Sequence, residues 1–166
     1  MTMTTPDIPP SIKDPSKRMV VKPVLTAHND AKLRTEIQTR HLNMLVDEPK
    51  EKGGSDLAPT PLETALGALI GCEAVVMRMV ATAIDFDYDS VDFECEGEAD
   101  LRGARGVKGI RPYFETVRLK IKVTTDESES RLDLLRRNVE HRCPIMNLFK
   151  DAGVEMEIDW IAVPRS

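Results

Sequence analysis

Two cysteines of this chain sit where a thiol can do chemistry. Cys72 lies inside the apolar run TPLETALGALIGCEAVVMRMVATAI, and Cys143 opens CPIMNLFKDAG, directly before a proline suited to the first turn of a helix. Free N–H groups and partial positive charge at a helix start lower a thiol pKa, so Cys143 is expected to ionise more easily than an ordinary cysteine. A helix cap that happens to be cysteine is the plain alternative. Cys72 has a competing reading as a small core side chain, although Gly67, Ala68, Gly71 and Ala74 around it leave room for another backbone or a ligand. His141 could polarise Cys143 or join both cysteines at a metal. H-x-C with one remote cysteine supplies only three ligands and lacks the C-x₂₋₄-C spacing, so a structural zinc site is not expected. Cys95, inward on a strand with no polar neighbour on its face, reads as structural.

The elements that must position these thiols follow from pattern. Thr60-Pro61-Leu62-Glu63 combines an N-cap hydroxyl, a proline at the first helical position and a glutamate that completes a capping box. From Leu62 to Ile84 only Glu63, Thr64, Glu73, Arg78 and Thr82 are polar, which leaves no wide water-facing stripe and predicts a helix buried nearly all round. One chain with a modest sheet would struggle to cover every side of it, whereas two copies could bury their helices against each other. An obligate homodimer is the expectation.

Around that helix, VLTAHND and LRTEIQTR alternate with period two and LNMLV follows, predicting two or three antiparallel strands. DEPKEKGGSDLAPTP reads as a loop. VDFECEGEAD, FETVRLKIKV and VEMEIDWIAV alternate as half-buried strands, with the Gly-rich loop LRGARGVKGIRP between the first two. Asp126 and Glu129 are candidate caps for a helix carrying Leu132, Leu135 and Val139, and Gly153 ends the shorter helix begun at Cys143-Pro144. Strands separated by helices without regular βαβ alternation indicate an α+β fold. Residues 1–23 hold five of the eleven prolines and few large apolar side chains, which predicts a disordered or surface-draped tail ahead of a single domain over 24–166.

Composition narrows the partners. A net charge of -5 offers nucleic acid or an anionic membrane no electrostatic attraction, so neither is expected as a partner. The apolar run at 65–84 is broken by Glu73 and Arg78, against a membrane span. Three cysteines are too few for a secreted disulfide scaffold, and MTMTTPDIPP has neither a basic start nor an apolar run, so a reducing, cytoplasmic setting is expected.

The motifs also match a family. Pro61 and Glu63 precede the helix cysteine Cys72 in DEPKEKGGSDLAPTPLETALGALIGC, the Gly-rich DLRGARGVKGIRPYF precedes a strand, and EHRCPIMNLF carries Cys143-Pro144. In this order they resemble the OsmC/Ohr family of osmotically inducible and organic-hydroperoxide-resistance proteins, specifically its OsmC-like branch. The resemblance implies an α+β fold of antiparallel sheets around central buried helices, in an intertwined homodimer with sites at the subunit interface. It implies a thiol peroxidase that turns a small organic hydroperoxide into an alcohol, with Cys72 forming a sulfenic acid and Cys143 resolving it to a disulfide. An external dithiol reductant of the lipoyl type would reopen that disulfide, and no bound cofactor is implied. An arginine from the N-terminal strands, Arg34 or Arg40, would stabilise the thiolate, and Glu63 would orient it. Leu69, Val76, Met77 and Phe149 are available as an apolar lining for the substrate. The rival reading keeps the fold but makes the protein a non-catalytic or redox-sensing binder of a small apolar molecule; thiol–disulfide exchange without peroxide is a third.

Overall fold

The structure, a computed structural model, describes residues 8, 10 and 12–166. Part of the expected tail, including Pro6 and Pro9, lies outside the described residues; residues 12–23 are exposed and carry neither helix nor strand. The chain forms two compact units, one over Ile12–Gly67 and the other built on Ala68–Ser166.

In the first unit, β1 (Thr26–Asn29), β2 (Thr35–Thr39) and β3 (Leu42–Val46) make an antiparallel meander in the order β1-β2-β3. This is the arrangement predicted from the period-two alternation. The β2–β3 connection is only Arg40 and His41, with Thr39 paired to Leu42. Arg40 takes a left-handed conformation, φ 54°, as tight hairpins require.

The loop that follows is organised by Asp47. Its Oδ2 accepts hydrogen bonds from the Ser55 hydroxyl at 2.5 Å, the Ser55 N–H at 3.1 Å and the Leu57 N–H at 3.3 Å. The Ser55 hydroxyl leads in pulling the Asp47 pKa down to about 2, against the opposing effect of desolvation. Gly54 is required here, because a Cβ at this position would lie 1.7 Å from the Glu48 carbonyl oxygen. The loop delivers the chain to α1 (Pro61–Ile84). The predicted capping box forms: the Thr60 N–H donates to Glu63 Oε2 at 2.7 Å, and the Glu63 N–H donates to Thr60 Oγ1 at 3.2 Å.

In the second unit, β4 (Ser90–Glu98), β5 (Thr116–Thr124) and β6 (Glu155–Val163) form a sheet in the order β4-β5-β6. β4 and β5 are antiparallel, but β5 and β6 run parallel, so this sheet is mixed rather than antiparallel. The reason is the crossover: α3 (Glu129–Arg142) and α4 (Pro144–Asp151) lie between the two strands and return the chain to the same end. On central strand β5, Val117, Leu119, Ile121 and Val123 are buried. Arg118, Lys120 and Lys122 alternate with them and meet glutamates of the neighbouring strands, including Arg118 to Glu157 at 2.9 Å and to Glu96 at 3.3 Å. One face of the sheet is therefore core and the other is a solvated charge ladder.

Two local expectations are corrected. The Gly-rich segment contains a short helix, α2 (Leu101–Ala104), capped by Asp100. The cap of α3 is Ser128, whose hydroxyl accepts from the Arg131 N–H, rather than Asp126 or Glu129.

On α1 the single chain leaves the shortfall of cover expected of one copy. The helix buries Leu69, Glu73, Val76, Met77, Val80 and Ala81, a stripe at helical spacing, and leaves the opposite side open. Val75 is 62% exposed and Met79 55%, alongside exposed Gly67 and Gly71. A single chain supplies cover for one side only. The helix is long and apolar enough to cross a membrane by composition, as core helices of soluble proteins often are.

Candidate active site

Cys143 occupies the junction of α3 and α4. Its N–H donates to the Val139 carbonyl at 2.9 Å and ends α3, while its Sγ accepts from the Met146 N–H at 3.4 Å and caps α4. Pro144 at the first position needs no such partner, because it has no N–H to satisfy. The Asn147 amide ties the junction down by donating to the carbonyls of His141 at 3.0 Å and Cys143 at 2.8 Å. His141 thus takes part through its backbone. Among the described residues no group of three or more His, Cys, Asp or Glu is arranged to hold a metal ion.

The electrostatics of Cys143 reverse the expectation drawn from its helix position. The residue is 0% exposed, and burial is the main cause that pushes its thiol pKa well above the ordinary range. Glu73 and Cys72 push the same way, and the Met146 N–H opposes them. One N–H at the start of an eight-residue helix does not offset the loss of water around a thiolate. Cys143 is a protonated thiol at neutral pH.

Cys72, half-buried on α1, is near enough to Cys143 to perturb its ionisation, and both are free thiols. Next to it, Glu73 is 0% exposed and turned into the core. Neither of its carboxylate oxygens has a hydrogen-bond partner. The carboxyl and the Cys143 thiol nevertheless act on each other, Glu73 raising the thiol pKa and Cys143 lowering that of the carboxyl. Burial raises the Glu73 pKa first of all; Cys143 opposes that shift, Glu140 adds to it and Lys150 opposes it. Lys150 is itself 3.6 Å from Glu140 and so pairs with that carboxylate. Two thiols and a carboxyl that burial favours in its neutral form are the groups here suited to proton and sulfur chemistry.

The remaining predicted residues fall as follows. Glu63 is exposed and bonded to Thr60 in the capping box. Arg34 is exposed just ahead of β2 and lies 3.7 Å from Glu36; Arg40 is exposed in the hairpin turn. Cys95 is half-buried on β4, paired with Leu119, and burial raises its pKa. Of the residues expected to line a substrate site, Leu69 and Met77 are fully buried in the core, Val76 is buried, and Phe149 packs against Phe114 at 5.7 Å. A groove of about 490 Å³ crosses the meander between Thr26, Glu36 and Asn43, with no cysteine on its walls. Glu73 is the member that sequence reasoning missed. Its signal was a carboxylate beside a cysteine within an otherwise apolar run.

A buried α+β core carrying paired thiols at these positions agrees with the family that the motifs suggest. The chain belongs to the OsmC-like protein family, whose model matches residues 53–159. Solved structures share the fold. An OsmC-like protein from Mycoplasma pneumoniae aligns with TM-score 0.72 at 18% identity, over 89% of this chain and 100% of that one. An organic hydroperoxide resistance protein OsmC from Legionella pneumophila aligns with TM-score 0.67 at 17% identity, over 87% and 99%. An organic hydroperoxide resistance protein from Elizabethkingia anophelis aligns with TM-score 0.67 at 15% identity, over 89% and 100%. No curated protein matches the chain.

Proposed function

We propose that this protein is a homodimeric, thiol-dependent peroxidase acting on organic hydroperoxides. The observation that carries the reading is that Cys72, from the middle of α1, acts on the thiol of Cys143, at the α3–α4 junction. The Cys72 thiolate attacks the distal peroxide oxygen, the O–O bond breaks, and the alcohol leaves with a proton while Cys72 becomes a sulfenic acid. Cys143 then displaces that oxygen as water and forms a disulfide. An external dithiol, such as a dihydrolipoyl group, reduces the disulfide by exchange and returns both thiols.

The family scheme asks for a cation that favours the Cys72 thiolate and a carboxylate that orients it, and Arg34 or Arg40 and Glu63 are the candidates for these roles. The Thr60 N–H donates to Glu63 Oε2, which leaves the other carboxylate oxygen available to a guanidinium. The exposed apolar side of α1 supports the homodimer, since a second copy would remove Val75 and Met79 from water.

The test is consumption of cumene hydroperoxide with dihydrolipoamide by wild type, Cys72→Ser and Cys143→Ser, with intact mass after one equivalent of peroxide. Turnover lost in Cys72→Ser, with a Cys72–Cys143 disulfide in wild type, is expected. Equal turnover in Cys72→Ser, or none in wild type, overturns the reading.

A further inference from the structure

Resting on the peroxidase reading, the geometry points to Glu73 as the proton relay that lets Cys143 resolve the Cys72 sulfenic acid. Cys143 is fully buried, accepts a single N–H, and has no arginine or lysine among the main causes acting on its thiol. A thiol in that setting is a poor nucleophile, because the thiolate does the attacking. What it has beside it is a carboxyl with both oxygens unpartnered and no access to water. A buried acid thus stands beside the resolving thiol with neither oxygen committed to a structural partner.

A neutral carboxyl can accept and donate at once. The Cys143 S–H proton passes to the carbonyl oxygen of Glu73 as Sγ attacks Cys72 Sγ. The Glu73 hydroxyl proton passes to the departing oxygen of the sulfenic acid. The S–S bond forms, the S–O bond breaks, water leaves, and Glu73 ends protonated on its other oxygen. The two sulfurs share the oxidation that the peroxide delivered, so no further oxidant is needed. The groups acting on Glu73 are Glu140 of α3, which pairs with Lys150 of α4 and with Arg136, Lys150 itself, and the neutral Cys143 thiol between those helices. They leave the carboxyl's protonation governed by its burial.

The experiment compares wild type with Glu73→Gln, which keeps the shape but cannot relay a proton. Reduced protein is mixed with one equivalent of cumene hydroperoxide; Cys72 sulfenic acid is trapped with dimedone, and disulfide is followed by intact mass at pH 6, 7 and 8. In Glu73→Gln the sulfenic acid should still form and accumulate. Its disulfide should close at least about tenfold more slowly, in line with loss of general acid–base help. Closure in the variant should also steepen toward about tenfold per pH unit, because Cys143 must then ionise unaided. Wild type should vary less with pH, a difference that mere loosening of the core would not produce. Closure at the wild-type rate, or slower closure with the wild-type pH slope, overturns the relay.

If wild type forms no sulfenic acid, the peroxidase reading falls, and the relay is judged without peroxide. Cys72 is converted to a mixed disulfide with 4,4′-dithiodipyridine, and release of thiopyridone by Cys143 is timed. Slower release with the steeper pH slope in Glu73→Gln supports the relay; equal release overturns it.

Discussion

Replacing Glu73 with methionine should make the protein more stable. Methionine is unbranched, of similar length and wholly apolar, so it fills the site without asking for hydrogen bonds. The wild-type side chain is 0% exposed with two unpartnered oxygens, and leaving a buried polar group unsatisfied costs about 1–3 kcal/mol. Removing that cost should raise Tm by about 2–12 °C at neutral pH, at roughly 2–4 °C per kcal/mol for a chain of this size. The pH dependence has a definite sign. The folded pKa of Glu73 lies above the unfolded value near 4.5, so the native state holds its proton more tightly. Wild-type stability is fully present below that value and falls as pH rises toward the folded pKa, by at most about 1.4 kcal/mol per pH unit. Glu73→Met removes this loss, so its advantage should widen from pH 4.5 to 7.5. Denaturant midpoints of the two proteins at pH 4.5, 6 and 7.5 measure it. An advantage that stays constant with pH, or a variant less stable than wild type at pH 7.5, would refute the reasoning and mean that the carboxylate finds a cation in the assembled protein.

The other predictions concern the two units separately. Val75→Asp should convert a dimer to a monomer in sedimentation velocity, since covering this 62%-exposed valine is worth about 1–2 kcal/mol per copy and the variant adds like charges at the same seam; an unchanged sedimentation coefficient counts against α1 as the interface. Asp47 has the opposite linkage sign to Glu73. Its pKa is lowered to about 2, so the loop keeps this contribution above pH 3.8 and loses it as pH falls through 2. The Ser55 and Leu57 amide resonances should titrate near pH 2, and a midpoint close to 3.8 would dismiss the carboxylate's role in holding the loop.

Much of this fold is legible in local pattern, because its signals are local. The α1 start is spelled out by Thr60, Pro61 and Glu63, and each strand shows its alternation. Strand direction is different. The period of β6 is the same whether it lies parallel or antiparallel to β5, and only the two intervening helices decide. The phase of α1 was hidden for a related reason. A helix apolar on all sides gives hydrophobicity no preferred face, and the one buried charge-bearing residue, Glu73, turns inward where polarity alone would send it out. Cys143 failed in the opposite way. Its capping role was readable from Cys-Pro, but its ionisation depends on burial and on α1, distant in sequence, and these outweigh the helix terminus.

That reversal gives the two thiols different chemical lives. Peroxides react with thiolates, so a cysteine held protonated and away from water escapes direct oxidation. Cys143 is so held, whereas Cys72 is the more open of the pair. On the proposed reading the division has a use: oxidation enters at Cys72 alone, and Cys143 survives as the thiol that must be intact when the sulfenic acid appears. Protection has a cost, since a thiol shielded from oxidation is also slow to attack. A fixed base such as a lysine would relieve the slowness by creating a thiolate and would forfeit the protection. A neutral carboxyl does not. It leaves Cys143 protonated at rest and moves the proton only when a sulfenic oxygen is present to receive one, which is why an acid beside these cysteines serves resolution better than a cation would.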